Sequence, residues 1–195
     1  MAKIQPLSAA GSPSSSDYQR SQQEYTVWMK ALVFNGNGCT VYGPDGTVAF
    51  RVDNYGCRGG REVFFMDRAG NALIRIRRKG FGVFRRWDVC RCTHNGSQEE
   101  ATPWFTVRRA EKGGAAVAMH GGAGTCYKID GCCARKYEYK VSGVDGAVVA
   151  EVARKQTPAG VVLGEDVLTL RVAPEADHLL LLGLVVVLGL INSSL

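Results

Sequence analysis

Short runs in which apolar and polar residues alternate fill most of residues 25–172, and turns containing glycine separate these runs. Alternation with a period of two is typical of a half-buried strand. Asp-Gly between two such runs is a strong hairpin signal because glycine accepts a positive φ. Three copies are CTVYGPDGTVAFRV, EVFFMDRAGNALIRI and YEYKVSGVDGAVVAEV, with Asp45-Gly46, Ala69-Gly70 and Asp145-Gly146 at corresponding places. The pattern predicts a meander of antiparallel hairpins.

The rest of the pattern divides into further strands, loops and a tail. Strands are predicted at TVWMKALVF, GVFRRWDVC, PWFTVRRA, TCYKID and GVVLGEDVLTLRV, which brings the total to about eleven or twelve. THNGSQEEAT and EKGGAAVAMHGGAG are polar or rich in glycine without a period, so we expect mobile loops there. Residues 1–23 are rich in Ser, Gln, Ala and Pro and predict a disordered tail, which leaves residues 24–195 as a single domain.

The C-terminal stretch HLLLLGLVVVLGLINSSL predicts a helix over residues 176–191 that is apolar on every side. Pro174 suits the first turn of this helix, and Glu175 and Asp177 are acidic where the helix dipole favours them. The thirteen residues 179–191 have no polar side chain. As a helix they would extend roughly 20 Å, well short of the ~30 Å hydrocarbon core of a membrane. We therefore expect a mainly β fold, a closed antiparallel barrel of about twelve strands around this central hydrophobic helix.

Basic residues are concentrated in one part of the chain. The formal net charge is +6, and residues 51–91 alone contain eleven Lys or Arg against four Asp or Glu, a net +7. The predicted hairpin LIRIRRKGFGVFRRW contributes the candidate site for anionic phospholipid headgroups, which consists of Arg75, Arg77, Arg78, Lys79, Arg85 and Arg86. A solvated sheet face is the alternative. Single-stranded nucleic acid is disfavoured because no aromatic residue interleaves the arginines as a base-stacking platform.

Catalytic and metal-binding motifs are incomplete. His120 lies in HGGAG, which is similar to an oxyanion loop, but no G-x-S-x-G turn supplies a nucleophilic serine. Cys90, Cys92 and His94, and the pair Cys132-Cys133, lack the paired spacing of structural zinc ligands. Seven scattered cysteines and an N-terminus without an apolar signal sequence favour reduced thiols in the cytoplasm or nucleus. We therefore expect no enzymatic activity, no cofactor and no metal.

Three long strings carry a family resemblance. They are YTVWMKALVFNGNGCTVYGPDGTVAFRVDNY, PWFTVRR and DGCCARKYEYKVSGVDGAVVAEVARKQTPAGVVLGEDVLTLRVAPEADHLLLLGLVVVLGLI. These strings resemble the plant LURP-one-related family, and the similarity covers residues 25–191 apart from the two predicted loops. The resemblance implies a twelve-stranded barrel around a hydrophobic C-terminal helix. This is the fold that the family shares with the Tubby C-terminal domain and the phospholipid scramblases.

The resemblance implies less about function, because the family has no catalytic motif to transfer. Some members are linked to defence against pathogens, and Tubby domains bind phosphoinositide headgroups through basic surface residues. We expect a non-enzymatic regulatory or interaction module in defence or stress signalling that visits anionic membranes through the basic hairpin. The alternatives are a pure protein-interaction scaffold with an unknown protein partner, a Tubby-type transcription-linked protein and a scramblase-type lipid-handling protein. The expected form is a monomer that is cytoplasmic, peripheral at the plasma membrane or nuclear, and not an integral membrane protein.

Overall fold

The structure, a computed structural model, describes residues 22–31, 38–53, 62–80, 86–92, 102–110, 114–121, 126–131 and 138–193. In these ranges, twelve strands form one closed antiparallel barrel in which each strand pairs with its neighbours in sequence and β1 pairs with β12. The strands are β1 Gln23–Ala31, β2 Gly38–Tyr42, β3 Val48–Asp53, β4 Glu62–Asp67, β5 Ala72–Lys79, β6 Arg86–Arg91, β7 Phe105–Arg109, β8 Ala115–Met119, β9 Cys126–Asp130, β10 Tyr139–Ser142, β11 Val148–Arg154 and β12 Val167–Val172. The predicted fold class is confirmed. The predicted N-terminal tail falls almost entirely on residues outside the described ranges.

The three predicted hairpins are present, with their turns at the expected residues. β2 pairs with β3, β4 with β5, and β10 with β11. The turn glycines Gly46, Gly70 and Gly146 have φ angles of 75°, 92° and 80°. These angles lie in the left-handed region, which a residue with a Cβ enters only with strain. The local turn chemistry therefore sets these hairpins.

Strand β8 corrects the prediction of a mobile loop over EKGGAAVAMHGGAG. Ala115–Met119 is a strand that pairs with β7 on one side and with β9 on the other. Ala115 and Val117 are buried, whereas Ala116 and Ala118 are exposed. The period of two is therefore present, but alanine on both faces hides it, because alanine gives almost no contrast in hydrophobicity.

The connection between β11 and β12, residues 155–166, corrects the strand predicted over residues 160–172. Strand β12 begins only at Val167. Upstream, Gln156 and Val162 form an isolated antiparallel bridge across a turn in which the amide of Gly160 donates to the carbonyl of Thr157 at 2.8 Å. We call residues 155–166 the β11–β12 extension. It is a small hairpin of its own, and the predicted single strand had run through Gly164, Glu165 and Asp166.

The helix α1, His178–Ser193, fills the barrel lumen, and residues 180–189 are buried on every side. It begins two residues later than predicted, because Asp177 is its N-cap and accepts the amide of Leu180 on Oδ1 at 3.0 Å. Pro174 accordingly lies in the turn before the helix, and its predicted place in the first helical turn was wrong. No helix in the described ranges is long and apolar enough to cross a membrane.

A closed meander places every connection at one of two ends. The upper end holds the connections β2–β3, β4–β5, β6–β7, β8–β9, β10–β11 and β12–α1, and the lower end holds the others. At the upper end the hydroxyl of Tyr25 lies 2.9 Å from Nδ1 of His178. There the Arg91 guanidinium lies 3.9 Å over the Trp104 ring and 3.4 Å from Oδ2 of Asp177. These contacts fasten the beginning of the helix to the barrel wall.

Candidate functional site

The predicted basic hairpin forms β5 and β6, and its turn lies at the lower end. The register places Arg77 opposite Asp88, Arg78 opposite Trp87 and Lys79 opposite Arg86. Since Ile74 and Ile76 are fully buried, strand alternation puts Arg75, Arg77 and Lys79 on the outer face and Arg78 on the lumen side. Arg85 lies outside the described residues. The hairpin therefore does not present its cations as one set.

Arg75 and Arg77 are both held by Glu62 on β4. The Arg75 Nε atom lies 3.2 Å from Oε1 of Glu62, and the Arg77 Nη2 atom lies 3.1 Å from the same oxygen. Only 14% of the Arg75 side chain is exposed, against 32% for Arg77. A phosphate group would have to compete with a carboxylate that is already in place. These two residues therefore stabilise the sheet more than they offer free charge.

Lys79 and Arg86 differ from the other members of the predicted set because both are exposed on the outer face. The Arg86 Nε atom lies 3.2 Å from Oδ1 of Asp88, and 44% of the Arg86 side chain remains accessible. Arg78 is half-buried opposite Trp87, which has a relative exposure of 4%. Among the predicted cations that the structure describes, Lys79 and Arg86 are therefore the two that are exposed on the outer face.

Strand β7 adds a third cation to this pair. Arg86 is directly opposite Arg108, as Lys79 is opposite Arg86, so the three cations form a line across three neighbouring strands. We call Lys79, Arg86 and Arg108 the cation row. With strands ~4.8 Å apart, the row is roughly 10 Å long. Among the described residues, no carboxylate forms an ion pair with Lys79 or Arg108.

The register continues the row beyond β7. Arg108 is opposite Ala116, and Ala116 is opposite Lys128 on β9. Lys128 has 76% of its side chain exposed and lies 3.5 Å from Asp130. Sequence reasoning missed Arg108 and Lys128 because both are distant from the hairpin in sequence. The only local signal was the outward phase of Arg108 in the alternating run FTVRR.

A second cross-strand row shows the opposite arrangement on the other side of the barrel. Lys140 Nζ lies 2.6 Å from Glu151 Oε1, and this hydrogen bond and the lysine charge lower the pKa of Glu151. Arg171 Nε lies 3.3 Å from Glu24 Oε2. We call this line of alternating sign the alternating row, and it consists of Asp130, Lys140, Glu151, Arg171 and Glu24. Opposite charges across strands stabilise a sheet, and like charges destabilise it. The like charges of the cation row therefore destabilise the sheet when no anion is bound.

A buried polar cluster lies beside the cation row. Asp88 has a relative exposure of 6%, and its Oδ1 lies 3.3 Å from the hydroxyl of Thr106. That hydroxyl lies 2.8 Å from Nε2 of His120, and the Nε atom of Arg86 lies 3.2 Å from the same oxygen of Asp88. These contacts satisfy a buried carboxylate, which would otherwise be strongly unfavourable. In the described part of the chain, no carboxylate orients His120 as the base of a catalytic triad requires.

Cys39, Cys90 and Cys92 are free thiols. Burial raises the pKa of Cys39 to about 12, and it also raises the pKa of Cys90 and of Cys92, where the charge of Arg75 acts in the opposite direction. A raised pKa keeps a thiol protonated and therefore weakly nucleophilic. Within the described ranges no three His, Cys, Asp or Glu side chains are arranged to hold a metal ion. His94, the third candidate ligand predicted with Cys90 and Cys92, lies outside those ranges.

The fold and the face together define a class of protein, the closed twelve-stranded barrel with a hydrophobic helix in its lumen. A family profile described as LURP-one-related matches residues 23–189, and the chain belongs to this family. Protein LURP-one-related 11 of Arabidopsis thaliana is 37% identical over 209 residues, which cover 100% of this chain and 90% of that protein. Protein LURP-one-related 4 of the same plant is also 37% identical, over 98% of this chain and 87% of that protein. The predicted family is confirmed.

A solved structure is similar to the whole barrel. It is an X-ray structure of a protein from Arabidopsis thaliana, with a TM-score of 0.64, 20% identity, and coverage of 89% of this chain and 93% of that one. At this identity the likeness supports the fold alone.

Proposed function

We propose that this chain is a non-enzymatic regulatory or interaction module that binds anionic membrane surfaces, including phosphoinositides, through the cation row. The observation that carries the proposal is the cross-strand alignment of Lys79, Arg86 and Arg108 on an exposed face. The proposed setting is plant defence or stress signalling, in a protein that is cytoplasmic, peripheral at the plasma membrane or nuclear.

Electrostatics supports an anionic ligand at this face. Three like charges in register oppose one another, and a bound phosphate group would relieve that repulsion by forming charge-assisted hydrogen bonds with them. Each Lys or Arg near an anionic membrane contributes roughly 1 kcal/mol. The alternating row would gain no such relief from a bound anion, because its charges already neutralise one another.

Liposome flotation tests the proposal with a charge-reversed variant, Lys79→Glu with Arg86→Glu and Arg108→Glu. We expect the wild type to float with phosphatidylcholine vesicles that contain a phosphatidylinositol bisphosphate, and to be released by high salt. The triple variant should lose affinity by about a hundredfold or more, at roughly 1 kcal/mol for each charge. Thermal unfolding of both proteins verifies that the variant is folded.

A matched pair of single substitutions separates position from net charge. Arg68 is exposed in the β4–β5 turn at the upper end, and Arg108 is exposed on β7 near the lower end. Arg108→Glu and Arg68→Glu change the net charge equally, so only Arg108→Glu should weaken flotation markedly. Equal losses would indicate nonspecific attraction. No flotation by the wild type would contradict the proposal and favour a protein-interaction scaffold.

A further inference from the structure

The β11–β12 extension exposes an apolar surface. Residues 157–164, TPAGVVLG, contain no charged side chain. Val161 is 62% exposed and Leu163 is 52% exposed, and Val162 between them is exposed as well. We call Val161, Val162 and Leu163 the apolar tip. A contiguous exposed apolar surface marks an interaction site more often than a single exposed side chain does.

Hydrogen bonds hold this tip in a defined conformation. The amide of Thr157 donates to the carbonyl of Val161 at 2.8 Å, and the amide of Leu163 donates to the carbonyl of Lys155 at 3.0 Å. Asp166 ties the base of the extension to β1, because its side chain accepts the indole N–H of Trp28 at 3.0 Å. The apolar side chains are therefore presented by a hydrogen-bonded hairpin, and their exposure is a property of the fold.

The topology puts the apolar tip and the cation row at the same end of the barrel. The β11–β12 connection lies at the lower end, as do the last residue of β5, Lys79, the first residue of β6, Arg86, and the C-terminal end of β7 next to Arg108. An anionic membrane offers both complements, phosphate groups for the cations and an acyl boundary for the valine and leucine side chains. Charge complementarity therefore selects a lipid surface as the occupant.

We propose that the lower end is the membrane-facing end and that the apolar tip inserts into the interface while the cation row binds headgroups. This inference rests on the proposed membrane binding and adds an orientation and an apolar contact to it. In this orientation the helix remains inside the barrel, outside the bilayer, and its C-terminal end points toward the lipid.

The upper end supplies a matched control. The β10–β11 turn exposes Val144, at 72%, and the first residue of β11, Val148, is 49% exposed. Asp145 lies between them in this turn and is exposed. The two tips expose similar side chains, but only the lower one lies at the same end of the barrel as the cation row, four to six strands away around the wall. Val144→Ser with Val148→Ser is therefore the control for Val161→Ser with Leu163→Ser.

Insertion is measured with one added tryptophan and lipids that carry bromine on their acyl chains. Three tryptophans are already present, so wild-type quenching gives the background. With vesicles of phosphatidylcholine and a phosphatidylinositol bisphosphate, we expect Leu163→Trp to be quenched beyond that background and Val144→Trp not to be. The serine pair at the apolar tip should lose about tenfold in partitioning, because two apolar contacts are removed. The control pair should stay within about twofold of the wild type.

The outcomes separate the two proposals. Quenching of Leu163→Trp alone, together with the loss in the tip variant, supports insertion at the lower end. If the protein floats through the cation row but both reporters behave alike, or the tip variant binds as tightly as the wild type, insertion is wrong and headgroup binding stands. If the wild type does not float, both proposals fail.

Discussion

The upper and lower ends of the barrel differ in the charges that their described residues carry. At the upper end, Asp45, Asp67 and Asp145 each accept a backbone amide within their own turn, from Thr47 at 3.1 Å, Asn71 at 2.8 Å and Ala147 at 3.0 Å. At the lower end, the described turns and strand ends carry the cation row and the apolar tip. One end has acidic turns, whereas the other pairs cations with exposed aliphatic side chains.

The comparison of the two ends distinguishes charges that stabilise the fold from charges that do not. Each upper carboxylate has a local structural role, because it satisfies an amide that the turn leaves without a partner. The side chains of Lys79 and Arg108 have no comparable role, since neither forms a hydrogen bond or an ion pair with the described residues. Charges that stabilise their own turn need no ligand to explain them. This contrast is the reason for proposing the aligned cations as a contact for an anionic ligand.

The largest expected effect is the loss of the helix that connects the two ends. Deletion of residues 177–195 should give an aggregated chain without a cooperative unfolding transition. Eight large aliphatic side chains of the helix are buried, namely Leu180, Leu181, Leu182, Leu184, Val185, Val186, Val187 and Leu188. At ~1.5 to 3 kcal/mol each, their burial is comparable to the whole net stability of a domain, ~5 to 15 kcal/mol. A soluble truncation with a sharp thermal transition would show that the barrel stands without its core helix.

The next effect concerns Asp177, where the helix begins at the upper end. Asp177→Ala removes the capping hydrogen bond from the amide of Leu180 and the contact with Arg91. It should lower the free energy of unfolding by about 1 to 2 kcal/mol. Asp177→Asn keeps a capping oxygen and removes only an exposed ion pair, which is worth ~0 to 1 kcal/mol. Urea denaturation of both variants measures the contributions of the capping hydrogen bond and of the ion pair separately. Equal losses would mean that the ion pair, and not the cap, holds the helix start.

Much of this architecture could be predicted from local signals. Asp45-Gly46 and Asp145-Gly146 specify their hairpins because each turn needs a positive φ at one residue, and Gly46 and Gly146 supply it. Alternation in LIRIRRK puts Ile74 and Ile76 on one face of the strand and Arg75 and Arg77 on the other, and the structure buries both isoleucines. The apolar C-terminus identified the helix, because it could be buried only if the sheet surrounded it.

The candidate site depended on contacts that local signals do not determine. Arg108 is opposite Arg86 only because β6 and β7 pair in one register, and a connection of more than ten residues does not fix that register. Glu62 holds Arg75 and Arg77, and sequence reasoning did not pair them. The described members of the predicted cluster therefore divide: Glu62 contacts Arg75 and Arg77, whereas the strand register aligns Lys79 and Arg86 with Arg108 on β7. Both contacts depend on how strands that are distant in sequence pair, which local sequence patterns do not determine.

A smaller effect compares two lysines of the lower half. Lys79→Gln removes a charge that no described carboxylate neutralises, and should weaken vesicle binding by about fivefold, which corresponds to ~1 kcal/mol. Lys128→Gln removes a charge shared with Asp130 and should weaken binding less. Flotation at two salt concentrations measures both, and the salt dependence should fall more for Lys79→Gln. A larger loss for Lys128→Gln would move the centre of the site toward β9.

The smallest expected effect tests the acidic turns of the upper end. Hydrogen bonds from the side chain and the backbone of Asn71 lower the pKa of Asp67 from its ordinary value of 3.8, and hydrogen bonds from Thr47 lower that of Asp45. A lowered folded-state pKa means that the ionised group stabilises the fold. That contribution is fully present above the unfolded value of 3.8 and is lost as the pH falls through the lower folded value. The upper end therefore keeps these charges in mild acid.

Asp67→Asn isolates this contribution, because it preserves the size of the side chain but cannot ionise. The variant should melt below the wild type near neutral pH, and the two melting temperatures should converge as the pH is lowered below 3.8. Thermal unfolding across that range measures the convergence. Vesicle binding of the variant should match that of the wild type, because Asp67 lies at the end away from the cation row. A difference in melting temperature that persists in strong acid would mean that the turn depends on the carbonyl geometry of Asp67 and not on its charge. Tighter vesicle binding by the variant would mean that the upper acidic turns repel lipid, and the two ends would then act jointly in setting the orientation.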